Sequence, residues 1–379
     1  MPDAVMVTSS FLPGRGGIES YLGELCSQVA PRVAVLGPRE RDGIPIPGDL
    51  AYPTHGYEDG SMLVPSRKVV RAISRLTARY HTTKVIFGTP WPLGLRGPDL
   101  TLRGLRYVVI VHGAELLVPA AIPGVRRRLA GALAGADLLL PVSAYTGDAL
   151  RELIRDHNLP VPPIERLHAR VNLDRFHPGV DTVALRTRLG LSLEDRVVLC
   201  FGRLVKRKGV DRLIAALPSI NKRVPEAVVV VAGTGPELGR LEELARTSPG
   251  RVIVTGRVED DDAPAYYALA DVFALPVADR YFGLEIEGLG VVLLEAAACG
   301  TPCVTGRSGG TPEAVINEST GFVVDAKDPD QLSDRIAWLL ENPDRASGMG
   351  LAGREHVRKE FSALELPAAF LSWLSDGLP

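Results

Sequence analysis

Little in this 379-residue chain points to covalent staples or bound metals. Its four cysteines, Cys26, Cys200, Cys299 and Cys303, lie in apolar surroundings and none forms a CxxC pair. That excludes a disulfide framework and a zinc ribbon, and leaves reduced, buried thiols. No apolar run reaches the length of a membrane span. The opening MPDAVMVTSS turns polar too soon for a signal peptide, so the expected location is cytoplasmic. There is no Walker loop, no GxGxxG and no repeat of solenoid period. The second strand ends RVAVLGP, without the acid that a nicotinamide dinucleotide requires, and an NAD oxidoreductase is rejected. One absence is local: residues 60–98 contain no Asp or Glu, but seven Lys or Arg.

What is present is a soluble globular composition, 46% hydrophobic and 23% charged, long enough for two domains. The net charge of −2 conceals an asymmetry. Residues 1–180 hold 21 Lys/Arg against 16 Asp/Glu, and the remainder 22 against 29. A basic first half points to an anionic surface or ligand on that side; no nucleic-acid partner is expected.

Short apolar runs alternate with helical patterns. AVMVT (4–8), RVAVL (32–36), KVIF (84–87), YVVIV (107–111) and DLLLP (137–141) read as buried parallel strands. The pattern restarts with RVVLCFG (196–202), AVVVVAG (227–233), RVIVTG (251–256), DVFALP (271–276) and TPCVTG (301–306). Two such series predict two doubly wound α/β domains, 1–175 and 176–362, hinged within 170–180. A C-terminal helical segment, 363–379, is expected to return to the first domain. In such sheets ligands gather at the carboxyl ends of strands, near helix N-termini.

Five stretches occupy such places. SSFLPGRGGIESYLGEL (9–25) follows the first strand, and Gly16 and Gly17 there allow close backbone approach to an anion. VHGAE (111–115) puts His112 at a strand end. In FGRLVKRKGVDRLI (201–214), Arg203 and Lys208 form a candidate diphosphate clamp, whereas Lys206 and Arg207 are expected to face solvent. In EIEGLGVVLLEAAACG (285–300), Glu287 and Glu295 stand eight apart, with the amides of Gly288, Leu289, Gly290 and Val291 between. A carboxylate within an apolar helix is costly unless it accepts hydrogen bonds, and sugar hydroxyls donate them. The bland alternative makes Glu287 a helix cap and leaves Glu295 on the surface. In TGRVEDDDAPAYYALADVF (255–273), Val258 is placed to line a base pocket; the acids 259–262 start a helix rather than bind a metal.

Taken together, in this order and spacing, these stretches resemble the family 4 retaining glycosyltransferases of the GT-B fold. The resemblance rests on Glu287…Glu295, Arg203…Lys208, Gly16-Gly17 and TPCVTGRSGGTPEAV (301–315), and extends almost end to end. PVADRYFGLEIEGLGVVLLEAAACGTP further resembles the actinobacterial phosphatidylinositol mannoside mannosyltransferases. One departure is Arg170-Val171-Asn172 with Phe176, where the family usually has a glycine before Val-Asp.

The resemblance implies two Rossmann-like domains facing each other across a cleft, the first taking the acceptor and the second the nucleotide sugar. It implies retained configuration with neither metal nor cofactor. Glu295 would accept from the ribose; Arg203 and Lys208 would neutralise the leaving diphosphate. Glu287 and the nearby amides would hold the sugar, which His112 would contact, and Gly16 and Gly17 would approach phosphate and acceptor. The acids after Val258 suit the donor edge of guanine, and with the resemblance they favour GDP-mannose and a lipid acceptor. A UDP-sugar transferase acting on a soluble acceptor, a sugar-nucleotide epimerase and a non-catalytic nucleotide-sugar-binding protein are the rivals. On a helix through 66–80, Val69, Ile73, Leu76 and Tyr80 share one face and Lys68, Arg71, Arg75 and Arg79 another. With Arg126, Arg127 and Arg128 these cations make a candidate surface for the cytosolic face of an anionic membrane.

Overall fold

The computed structural model describes every residue except 15, 42, 59–61, 63, 363–365 and 376–379. Part of the expected C-terminal segment 363–379 thus lies outside the described residues.

The first sheet contains β1 (Ala4–Val7), β2 (Val33–Pro38), β5 (Thr54–Tyr57), β6 (Lys84–Phe87), β7 (Arg106–Val111) and β8 (Leu138–Pro141); a small hairpin, β3 (Glu40–Arg41) and β4 (Ile44–Pro45), stands apart. The second sheet contains β9 (Arg196–Phe201), β10 (Ala227–Ala232), β11 (Val252–Gly256), β12 (Val272–Leu275), β13 (Cys303–Gly306) and β14 (Gly321–Val324). All pairings within both sheets are parallel. The strand orders are β5-β2-β1-β6-β7-β8 and β11-β10-β9-β12-β13-β14. Each runs outward from its first strand and reverses beside it, so each has one switch point, β1/β6 and β9/β12.

Burial explains why the apolar runs became these strands. Every residue of β1, β8, β10, β12 and β13 is buried. Successive side chains alternate faces, so both faces of each sheet must be covered. The half-buried strands are both edge strands, β11 throughout and β5 except for Tyr57, whereas the edge strand β8 is fully buried. Weak apolar patterning is why β5, THGY, escapes a reading based on apolar runs; β14, GFVV, is mostly buried and escapes it only as a short run. The four cysteines are free and buried.

Residues 1–169 and 364–379 form one compact unit and residues 170–363 the other, so the chain divides at Ala169 rather than at 175. The helix Ala368–Ser375 packs on the first unit: Trp373, fully buried, donates its indole N–H to Asp137 at 2.7 Å, and Ala369 donates to Glu165 at 2.9 Å. The helix Pro343–Glu360 stays with the second unit, where Arg354 donates to the carbonyl of Phe176 at 3.0 Å.

Candidate active site

In the first unit, β1 leads into a glycine turn and then the helix Gly17–Gln28, whose N-cap is Gly16. A Cβ on Gly16 would lie 2.3 Å from a carboxylate oxygen of Glu19, so a side chain there would have to displace that carboxylate. A Cβ on Gly17 would meet nothing within 4 Å. Glu19 is buried and paired with Arg41 at 2.8 Å, an anchor for the turn that no sequence pattern disclosed.

His112 ends β7. The carboxylate of Glu115 accepts from the backbone N–H of His112, and from that of Gly113 at 2.9 Å. Those bonds fix the turn, where Gly113 sits at φ +146°. The imidazole is buried, edge-on to Tyr21 at 5.2 Å, with Nε2 3.0 Å from the carbonyl of Gly88. Burial lowers its pKa, against the pull of Glu115 and Gly88, so the ring is neutral near pH 7. A carbonyl only accepts, so Nε2 carries the proton and Nδ1 presents a bare lone pair. The His112 side chain is thus an acceptor, not a cation.

In the second unit, β9 runs out through Gly202 (φ +126°) to Arg203, then a 3-10 turn over Lys206–Lys208 and the helix Val210–Asn221. Gly209 joins turn to helix at φ +69°, where a Cβ would lie 2.2 Å from the carbonyl oxygen of Pro276. Arg203 is exposed and Lys208 is 8% exposed. Among the described residues, neither side chain has a hydrogen-bond or ion-pair partner. An uncompensated cation at that depth is costly, and an anion would relieve the cost.

Arg207 corrects the expectation that it faces solvent. Lys206 does turn outward, paired with Asp211 at 2.6 Å, but Arg207 turns in. Its guanidinium donates to Glu287 at 2.7 Å and lies 3.9 Å from Glu285. Glu287 therefore has a built-in counter-ion and is no helix cap. The N-cap of the helix Val291–Ala298 is Gly290, left-handed at φ +85°, and no side chain caps that end. The backbone of Glu287 is held at both sides. Its N–H donates to Ser308 Oγ at 3.0 Å, and its carbonyl accepts from Gly310 N–H at 3.0 Å. Leu289 is buried, so what it can offer a ligand is its backbone.

Glu295, on the helix, is not a surface residue. Tyr267 donates its hydroxyl to Oε2 at 2.5 Å. Burial raises the Glu295 pKa to about 7, opposed by Tyr267, Arg175 and Lys208. Neither Tyr267 nor Arg175 stood out in the sequence; each is far along the chain from Glu295. Val258 lies half-buried just past β11, and Asp260–Asp262 form a 3-10 turn into the helix Ala263–Leu269.

The helix Arg67–Arg79 requires a second correction. Val69, Val70, Ile73 and Leu76 are buried in the core of the first unit, so the apolar face is spent on folding and is not offered to lipid. Lys68, Arg71, Arg75 and Arg79 are exposed on the outer face; Lys68, Arg71, Ser74, Arg75 and Ala78 line a shallow groove there. Arg126 is bound to Asp156 at 2.5 Å, while Arg127 and Arg128 are exposed. Among the described residues no helix is long and apolar enough to cross a membrane.

Residues 182–356 match the family model for glycosyl transferases group 1. The chain is 38% identical to a GDP-mannose-dependent alpha-(1-6)-phosphatidylinositol monomannoside mannosyltransferase of Mycobacterium tuberculosis, over 99% of this chain and 98% of that one. It is 34% identical to a GDP-mannose-dependent monoacylated alpha-(1-6)-phosphatidylinositol monomannoside mannosyltransferase of Corynebacterium glutamicum, covering 94% of each. Among solved structures, a sucrose-phosphate synthase from Thermosynechococcus elongatus superposes with a TM-score of 0.80 at 24% identity, covering 95% of both chains. That likeness shows the fold, GT-B, with its two Rossmann-like domains. With near full-length identity well above 30%, the chain belongs to the group 1 glycosyl transferases, the family of these phosphatidylinositol mannoside mannosyltransferases.

Proposed function

We propose that this enzyme transfers mannose from GDP-mannose to a phosphatidylinositol mannoside, with retention of configuration and without a metal. The observation that carries the chemistry is Lys208, a buried ammonium without a partner, beside exposed Arg203 at the end of β9. A departing diphosphate is the anion that this pair fits, and fixed cations can stabilise it as the glycosidic bond breaks. The donor and acceptor rest on the near full-length relatives. Their products are α-linked, and GDP-mannose carries its mannose in the α configuration, so the same face is kept.

The remaining roles are part of the same proposal. Arg207 holds the Glu287 carboxylate at 2.7 Å and aims it to accept from mannose hydroxyls. Glu295 accepts from the ribose, with Val258 and the acids after it beside the guanine. The amides of Gly288 to Val291 face the negative charge between the two ends. On the first unit, Gly16 and Gly17 admit the acceptor, and neutral His112 offers Nδ1 to a sugar hydroxyl. No side chain needs to become a covalent nucleophile. The acceptor is amphiphilic, and the exposed cations Lys68, Arg71, Arg75, Arg79, Arg127 and Arg128 support peripheral attachment to an anionic cytosolic leaflet.

The test is turnover across GDP-mannose, UDP-glucose, UDP-GlcNAc and UDP-galactose, with and without vesicles holding phosphatidylinositol monomannoside. The proposal expects GDP-mannose turnover that depends on the lipid. Preference for a UDP-sugar indifferent to lipid would move the enzyme to a soluble acceptor and leave its fold and family unchanged.

A further inference from the structure

Tyr267 lies in an aromatic box. Its ring centroid is 5.8 Å from that of Phe176, 5.0 Å from Phe201 and 5.6 Å from Phe273, and the side chain is fully buried. A phenylalanine would fill this space equally well. All that tyrosine adds is a hydroxyl, placed where an unpaired polar group is costly. That hydroxyl has one use, the 2.5 Å bond to Glu295 Oε2. Among the described residues Glu295 Oε1 has no hydrogen-bond partner. The carboxylate is thus held by one oxygen and open at the other.

We infer that Tyr267 is the positioning residue of the nucleoside subsite: its hydroxyl holds Glu295 in the orientation and the charged form that the donor's ribose hydroxyls require. The inference rests on reading Glu295 as the ribose-binding carboxylate. A carboxylate accepts from both ribose hydroxyls, whereas a carboxylic acid gives up part of its acceptor capacity. A hydrogen bond donated to the ionised form favours that form. The other charged or titratable groups around Glu295 are Arg175 before the second sheet, Lys208 after β9, Asp260 ahead of the helix Ala263–Leu269, and Cys299 one turn along its own helix. Cys200 on β9 acts on Tyr267. Arg354, on the helix Pro343–Glu360, is engaged with backbone carbonyls and acts on Cys299 instead. Of all these only Tyr267 donates a hydrogen bond to the carboxylate.

The experiment measures the Kd of GDP-mannose, without acceptor, from about pH 5.5 to about pH 9, a range in which its diphosphate diester does not titrate. The wild type is expected to bind more tightly as pH rises through about 7. Tyr267→Phe moves that midpoint up by about one unit. Its Kd is then roughly fivefold to tenfold weaker at neutral pH, and the gap narrows toward the alkaline end to what the lost orientation alone costs, with kcat nearly unchanged. Glu295→Gln binds weakly at every pH, and adding Tyr267→Phe to it changes nothing. Tyr267 replaced by 3-fluorotyrosine, a stronger donor of the same shape, moves the midpoint down, which keeps the test alive if the phenylalanine variant folds poorly.

The inference is overturned if the Tyr267→Phe curve superposes on the wild type. It is equally overturned if the variant loses the same factor at every pH and in the Glu295→Gln background, since that is plain structural damage. If Glu295→Gln binds as tightly as the wild type at alkaline pH, the ribose reading itself fails. UDP-glucose serves as the probe if GDP-mannose does not bind, because ribose is common to both.

Discussion

Two charges of the proposed donor site, half-buried Glu295 and buried Lys208, are poorly placed for stability. Glu295 has a pKa raised from 4.5 to about 7 by burial. Its folded pKa lies above its unfolded one, so the unfolded chain ionises first. Any stability due to its neutral form is complete below about pH 4.5 and is lost as pH rises through about 7. By pH 8 the ionised group costs on the order of 3 kcal/mol. Glu295→Gln should therefore raise the melting temperature of the ligand-free enzyme at about pH 8 and leave it nearly unchanged at about pH 5. Equal shifts at both pH values in thermal unfolding would contradict this reading. Lys208 is buried without a hydrogen-bond or ion-pair partner among the described residues, so Lys208→Met should leave the ligand-free fold intact or slightly firmer, while kcat falls by roughly a hundredfold or more. A matching loss of stability and activity would make Lys208 a structural cation instead. Both were legible in the sequence, Lys208 as a cation in a strand-to-helix turn and Glu295 as a carboxylate within an apolar helix. Their partners were not. Tyr267 lies 28 positions from Glu295. Arg207 and Lys206 differ by one place in a 3-10 turn, and only the fold decides that Arg207 turns in and Lys206 out.

At the scale of elements, the apolar runs announced the buried strands because a parallel sheet covered on both faces has no polar side to show. The edge strand THGY (54–57) was silent, being half-buried and interrupted by glycine. The helix Arg67–Arg79 was legible as amphipathic, but periodicity cannot say whether an apolar face meets lipid or protein. Here it meets protein, so charge alone remains to attract a bilayer. Lys68→Gln with Arg71→Gln and Arg75→Gln should keep the fold and weaken binding to anionic vesicles, by roughly 1 kcal/mol per residue at low salt and less at high salt. Vesicle co-sedimentation decides it; unchanged binding would leave these residues as an ordinary solvated face. The glycines give a sharper contrast. Gly209→Ala meets both a positive φ and the Pro276 carbonyl, and should lose stability and activity together. Gly17→Ala meets nothing and should not lower the melting temperature, so any loss of activity reports a ligand against that backbone.

At the scale of the whole molecule, one construction is used twice. Each sheet places its reversal beside its first strand, and the loops leaving β1 and β9 carry the glycines and the cations. That arrangement was predictable from the restart of the strand pattern near residue 196. The dividing point was less so, because ARVNLDRF has no glycine, proline or charge run to mark it. The chain then returns: the helix Ala368–Ser375 packs Phe370 and Trp373 into the first unit. Trp373→Ala should destabilise that unit by about 3–5 kcal/mol. The second unit should be spared, visible as one of two unfolding transitions moving alone. A single transition shifting as a whole would show instead that the units unfold together.

The central claim is that mannose leaves GDP on fixed protein cations, without a metal, for a phosphatidylinositol mannoside. The direct measurement is transfer of radiolabelled mannose from GDP-mannose to vesicles of phosphatidylinositol monomannoside in excess EDTA, for the wild type and for Lys208→Met. The account predicts an α-linked product formed at an undiminished rate by the wild type and a severe loss in the variant. Loss of wild-type transfer in EDTA, restored by a divalent cation, or full activity in Lys208→Met, would contradict it.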